Sequence, residues 1–292
     1  MLKKALIWGG LFFLIILGTA LSDRFGWHLP WYMIFLLTVL LIPNILFIRY
    51  ALTRNQTKRM VVLAQIAVAS IFMFISEITA IQYKFWNFLE DKDVLCGLYM
   101  GGVPFEEFFF YPLMLNISLY AYLMAKSAFK KDRTSVPGPQ ISGAASITLL
   151  VVAALFVGLA VYIGINYSSE IGPYFFGRDG RGLPLYTEGG RYRGWGVTVF
   201  AGMAISLAVF VWGTRRYMDI RALVFAGFTI YLASLCIELL GIGRGWWVYN
   251  DYQLLGFKIY ILPLESLFMY LIGVIFPAGV YETLRIYIQK KA

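Results

Sequence analysis

Charge is scarce in this 292-residue chain, in which Asp, Glu, Lys and Arg together make up 14%. So few ionic side chains cannot cover a water-facing surface. With 60% hydrophobic residues and a mean hydropathy of +0.71, the composition excludes a soluble fold and implies a membrane protein. Histidine is scarcer still: the single His28 cannot build the histidine-cluster iron site of a membrane hydroxylase. Two cysteines, Cys96 and Cys236, provide neither a zinc site nor a disulfide scaffold, and Cys236 reads as an inert buried thiol. No G-x-G-x-x-G occurs. Gly241, Gly243 and Gly245 follow a membrane segment, not a strand, so a dinucleotide is not indicated, and no Asp-rich diphosphate-binding pair is present. Neither a cofactor nor a metal is expected, which leaves carboxylic acids to carry any chemistry.

What is abundant is apolar sequence. Eight segments are each able to cross a hydrocarbon core of about 30 Å: residues 5–22, 30–50, 60–83, 103–125, 141–166, 194–213, 220–242 and 257–284. The expected fold is all-α, a polytopic membrane bundle of about eight transmembrane helices. Placing Lys3 and Lys4 in the cytoplasm puts 16 of the 25 basic residues on that side, as the positive-inside rule asks. Both termini are then cytoplasmic in a multi-pass protein of the cell membrane. The net charge of +9 is accounted for by topology and lipid head groups, so nucleic acid is not an expected partner.

Two stretches nearly repeat each other: Glu77 to Tyr111 and Glu238 to Tyr270. Glu77/Glu238 and Trp86/Trp247 match at an offset of 161, and Gly97/Gly256, Pro104/Pro263, Glu106/Glu265, Phe109/Phe268 and Tyr111/Tyr270 at 159. The chain therefore reads as a tandem duplication, with a first unit over 1–133 and a second over 134–292, each of four helices. The linker lies within the basic, Pro-containing stretch Lys126 to Gln140. The long loop Asn166 to Arg193 belongs to the second unit only and serves either as a lid or as a plain connection.

Intramembrane carboxylates are costly unless they serve a purpose. Glu106 and Glu265 follow Pro104 and Pro263 at the start of an apolar segment, where a carboxylate also suits a helix N-terminus. A capping role explains one such motif. It does not explain why each is coupled to an upstream glutamate, Glu77 or Glu238, across a Trp-containing loop. Adjacent Glu106 and Glu107 point about 100° apart on a helix, and Ser266 stands where the second copy would carry a match for Glu107, which ranks Glu107 below Glu106. The surrounding aromatic residues, among them Trp86, Phe109, Tyr111, Trp247, Phe268 and Tyr270, suit either an interfacial belt or a π-lined pocket for a cation.

The run from Gly97 through Pro104-Phe105-Glu106-Glu107 to Phe110, with Trp86 and Glu77 upstream, resembles the Pro-x-Glu-Glu signature of the integral-membrane lycopene cyclases. These are the bacterial heterodimeric and the archaeal and fungal fused type. The resemblance implies two homologous three-helix units in one chain, with segments one and five added. It implies a carotenoid cyclase of the β type, redox-neutral and cofactor-free, with Glu77/Glu106 and Glu238/Glu265 as acid/base pairs and Glu107 a further catalytic candidate, for a task that only the first copy performs. An apolar isoprenoid substrate, membrane lipids, other carotenoid-pathway enzymes and a second copy of the chain are the partners it suggests. The sequence departs from the pattern at Pro263-Leu264-Glu265-Ser266, where the family usually has a second acid. A non-catalytic carotenoid-binding or assembly subunit, and a proton-coupled transporter using the same glutamates, are the alternative readings.

Overall fold

A computed structural model describes residues 2–27, 29–53, 59–68, 70–71, 80, 85–88, 95–100, 103–130, 147–148, 150–159, 175–178, 184–186, 194–209, 218–250 and 254–291. The helices are α1 (Leu2–Phe25), α2 (Trp31–Phe35), a π-helical turn (Leu36–Leu40), α3 (Leu41–Leu52) and α4 (Arg59–Val68), then α5 (Glu107–Lys130), α6 (Leu150–Leu159), α7 (Gly194–Val209), α8 (Ile220–Gly243) and α9 (Leu264–Lys291). Among the described residues, four stretches are long and apolar enough to cross a membrane: Trp31–Arg49, Glu107–Phe129, Ile220–Gly243 and Leu264–Tyr287. In the other expected spans the described apolar helical stretches are shorter, Gly9–Ser22, Arg59–Val68, Leu150–Leu159 and Thr198–Ala208, so eight crossings are not established.

The fold is mostly helical, as expected. Short two-stranded pairs occupy the loops: β1 (Trp86–Phe88), β2 (Tyr99–Met100), β3 (Val103–Pro104), β4 (Phe175–Arg178), β5 (Pro184–Tyr186), β6 (Trp247–Tyr249), β7 (Lys258–Ile259) and β8 (Leu262–Pro263). Segments expected to enter helices at 103 and 257 first form the hairpins β2–β3 and β7–β8, and the helices start at Glu107 and Leu264. Proline explains the delay, since the residue before it is pushed out of helical conformation and toward extended backbone.

The duplication is visible in these loops. In both copies a glycine with positive φ turns the chain, Gly97 at 79° and Gly256 at 88°, a region open to glycine at little steric cost. The backbone bonds also repeat: Phe105 N–H to Leu98 O and Leu264 N–H to Phe257 O, both 2.9 Å. Across the repeats, β1 pairs antiparallel with β6, in the register Trp86 with Tyr249, Asn87 with Val248 and Phe88 with Trp247. Equivalent residues exchange places about Asn87 and Val248, the pattern of a local two-fold axis between the units. Helix α5 packs against both α8 and α9, so the contact between repeats continues into the bundle.

At the other end of the bundle Glu282 on α9 is fully buried. It accepts a hydrogen bond from Tyr122 at 2.9 Å and pairs with Lys126 from α5 and with Arg285 at 2.7 Å. Lys126 and Arg285 are 159 apart, so equivalent cations from the two repeats converge on one carboxylate. Cys236, expected to be buried, is exposed on α8, because its side of the helix turns away from the packed faces.

Candidate active site

The sequence calls for carboxylates among aromatic rings, and the structure sorts the carboxylates into two kinds. Glu106 and Glu265 are fully buried and do the same thing in each repeat. The Glu106 carboxylate accepts the Cys96 N–H, and the Glu265 carboxylate accepts the Leu255 N–H, each at 2.5 Å and each from ten residues upstream. They fasten the loop that contains the positive-φ glycine to the start of the following helix. Neither lines the pocket described next.

That pocket is lined by Glu107 and Glu238 together with Tyr32, Trp86, Phe88, Phe110, Tyr111, Trp247, Tyr249, Met269 and Tyr270. Glu107 comes from the first turn of α5 and Glu238 from the last part of α8, so each repeat contributes one acid. Tyr32, in the first turn of α2, donates to Glu107. Tyr270 donates to one oxygen of Glu238, and Ser266 donates to the other at 3.2 Å. The side chains of Tyr249 and Trp247 also hydrogen-bond to Glu238. Burial, with the charge of Glu238 beside it, pushes the Tyr249 hydroxyl well above the usual tyrosine range, so that it stays a donor throughout the physiological pH range.

Ser266 occupies the place of Glu107 in the second copy, and the two differ in partner: Glu107 takes a proton donor from α2, whereas Ser266 is itself the donor to Glu238. Duplication ranks Glu106 above Glu107; in the fold Glu107 lines the pocket and Glu106 does not. The duplicated pair holds loops, and the unmatched Glu107 faces the aromatic space. Glu77, and with it the expected pairing to Glu106, lies outside the described residues. In the second repeat Glu238 is held by hydroxyls and an indole, while Glu265 is engaged with the Leu255 amide.

The aromatic residues divide in the same way. Trp86, Tyr111 and Tyr270 border the pocket, as does Trp247. Phe109 is 44% exposed, and Phe268 packs with Phe156 and Phe200 on α6 and α7. The sequence gives no signal for Tyr32, whose surroundings along the chain are those of a belt tyrosine. In the fold it is 1% exposed and contacts the rings of Phe88, Phe110, Trp246 and Trp247 at centroid distances between 5.7 and 6.1 Å. Trp247 fits because Gly241 leaves it room: a Cβ there would stand 2.1 Å from the indole ring.

Adjoining this pocket is an apolar groove between α5, α7, α8 and α9. Trp86, Phe110, Tyr111, Met269 and Tyr270 line both, so groove and acid pocket share a wall. Among the described residues no cluster of His, Cys, Asp and Glu could hold a metal ion. The arrangement can bind an extended apolar molecule and present its end to two acids within an aromatic wall.

No curated protein and no solved structure matches the chain. A family model does match, that of lycopene cyclase, over residues 28–125 and 194–284, one segment in each repeat-like unit and together well over half of the chain. On that match, with its two-unit form mirrored in the paired loops and joint pocket, the chain belongs to the lycopene cyclase family.

Proposed function

We propose that this membrane protein cyclises acyclic carotenoid ends to β-type rings without redox change, at one acid site built jointly by the two repeats. The observation that carries the reading is that Glu107 and Glu238, from different repeats, line one aromatic pocket beside an apolar groove. The reaction is an isomerisation. A carboxylic acid transfers H⁺ to the terminal C=C bond, leaving a tertiary cation, and the next C=C attacks it to form the ring bond. A carboxylate then removes a ring proton, so the proton count closes and no cofactor is needed.

Each part of the site has a task in this scheme. Two carboxyls in one desolvated pocket can hold a single proton between them, one serving as acid and the other as base. Aromatic faces such as Trp86 and Trp247 stabilise a cation without capturing it as a nucleophile would. Tyr32 orients Glu107, while Tyr270 and Ser266 orient Glu238. Glu106 and Glu265 shape the loops around the site.

Replacing Glu107 or Glu238 by Gln keeps shape and removes the acid. Cyclisation of lycopene in membranes of a carotenoid-free host, normalised to folded protein, is expected to fall by about 10²- to 10⁴-fold for each. Full activity in both variants would take the pocket out of the mechanism. The same proposal places this pocket toward the outer leaflet, with both termini cytoplasmic, on the asymmetry of basic residues. A cysteine introduced at Lys92, with Cys96 and Cys236 replaced, should react with an impermeant thiol reagent in intact cells. Reaction only after lysis would invert the orientation.

A further inference from the structure

We propose that Glu238 is the carboxylate that takes the proton at the end of cyclisation, and that the hydroxyls of Tyr249, Ser266 and Tyr270, by fixing its oxygens, determine which ring isomer forms. This deepens the cyclase reading on which it rests. Glu107 becomes the proton donor, and the selectivity of proton loss becomes a property of the second repeat.

Glu238 is 1% exposed and is held on both oxygens. Ser266 and Tyr270 stand four apart on α9 and so share a helix face; Ser266 donates to Oε1 at 3.2 Å and Tyr270 to Oε2. Trp247 and Tyr249 stand two apart on β6 and so share a side of the strand, and both hydrogen-bond to the same carboxylate. Tyr249 also hydrogen-bonds to Ser266, which ties the two sets together. A group met by donors from two elements is placed as an acceptor, which suits an ionised carboxyl best. Once it has taken a proton, a neighbouring hydroxyl can turn and accept that proton in a hydrogen bond.

Glu107 is placed differently. Tyr32 on α2 donates to it, and its counterpart in the second repeat is Ser266. The local axis therefore relates one acid to a serine that positions the other, which makes the two acids unequal.

The inequality matters because the last step has three outcomes. Ring closure leaves the charge on a tertiary ring carbon with three kinds of C–H beside it: the methine that bears the polyene, a ring methylene and a methyl group. Proton loss from the methine puts the new C=C in conjugation with the polyene, as in a β-type ring. Loss from the methylene gives a ring C=C outside conjugation, and loss from the methyl an exocyclic one. In each case the C–H electron pair becomes the C=C and H⁺ passes to Glu238. Its return to Glu107 closes the cycle without a co-reactant. All three C–H groups adjoin one carbon, so the position of the base selects among them.

The full-length protein in phosphatidylcholine nanodiscs is given lycopene, and the products are separated by chromatography and identified by absorption, which moves to shorter wavelength when a ring C=C leaves conjugation. Glu238→Asp keeps the acid and withdraws it by one methylene, and the fraction of rings with an unconjugated C=C is expected to rise at least about tenfold. Tyr270→Phe and Ser266→Ala should raise it by about threefold or more, while Ser266→Thr, which keeps a hydroxyl, restores the parent ratio. On the donor side, Glu107→Asp and Tyr32→Phe should slow cyclisation by about tenfold or more and leave the isomer ratio within about twofold of the parent. A purely structural role would slow turnover without moving the ratio. Should Glu238→Asp fail to fold or to turn over, the Ser266 variants decide. Rings in the parent ratio from Glu238→Asp and Ser266→Ala overturn the inference and leave the cyclase reading standing. A ratio moved by the Glu107 and Tyr32 variants instead reverses the roles and overturns it as well. A parent that forms no ring removes the cyclase reading, and this assignment with it.

Discussion

Two buried acid centres lie at opposite ends of the same bundle and are satisfied in opposite ways. Glu282 is held by cations, Lys126 and Arg285, one from each repeat. Glu238 is held by the neutral donors Ser266, Tyr270, Tyr249 and Trp247, and among the described residues the pocket it shares with Glu107 is lined by no lysine or arginine. A carboxylate clasped by two cations serves as a fastener. One surrounded by hydroxyls and an indole has partners in either protonation state, which is what proton transfer requires. The two centres are about 18 Å apart along α9, measured at the helical rise from Tyr270, which holds Glu238, to Glu282, so mutations can address them separately.

The contrast is sharpest in what removing the acid does. Glu282→Gln leaves Lys126 and Arg285 converging on a neutral group, and a loss of about 3 kcal/mol in stability is expected, in the range for breaking a buried ion pair. Cyclisation per folded molecule should persist. Denaturant-induced unfolding in detergent, read alongside turnover, checks both. A variant that is stable but inactive would erase the distinction, since Glu107→Gln and Glu238→Gln are the ones expected to behave so.

A smaller effect tests the aromatic wall. Gly241→Ala drives a methyl group into the Trp247 ring and should cost about 1 to 3 kcal/mol as an overpacked site, with reduced cyclisation because Trp247 also touches Glu238. Ala80 already stands at the matching place in the first repeat, so Ala80→Gly supplies the counterpart. Unchanged stability and turnover in Gly241→Ala would mean that the ring is free to move without consequence.

The smallest expected effect separates loop-fastening glutamates from those of the pocket. Glu106→Gln and Glu265→Gln each keep an acceptor for the upstream amide, so a loss of about 1 kcal/mol apiece is expected, near-equal in the two repeats. Activity per folded molecule should stay within about twofold, well short of the effect of losing a general acid. A hundredfold loss in either would restore the ranking that duplication alone suggests.

Glu106 and Glu107 mark the point at which a linear pattern stops being informative. Repetition of Glu106 as Glu265 is legible along the chain, and so is the 100° divergence between Glu106 and Glu107. Which of the two faces the pocket is not, because it depends on how the loop before α5 folds back, and a hydrogen bond to the Cys96 amide is invisible in a one-dimensional pattern. The hairpins escape for a related reason: pairs of two residues, such as Tyr99–Met100 with Val103–Pro104, are too short to show a period of two inside an apolar run.

By itself the sequence determined the membrane character, the duplication and the family resemblance. Each follows from composition or from matches along the chain, and none needs knowledge of what touches what. Only the tertiary structure decided that the two repeats line one pocket. The antiparallel pairing of Trp86–Phe88 with Trp247–Tyr249 brings the repeats together about a local axis, and α5 and α8 then deliver Glu107 and Glu238 to the same aromatic space. Residues 131 positions apart cannot announce that they are neighbours. Packing makes them so, because a buried carboxylate is tolerated where polar donors from several elements converge on it.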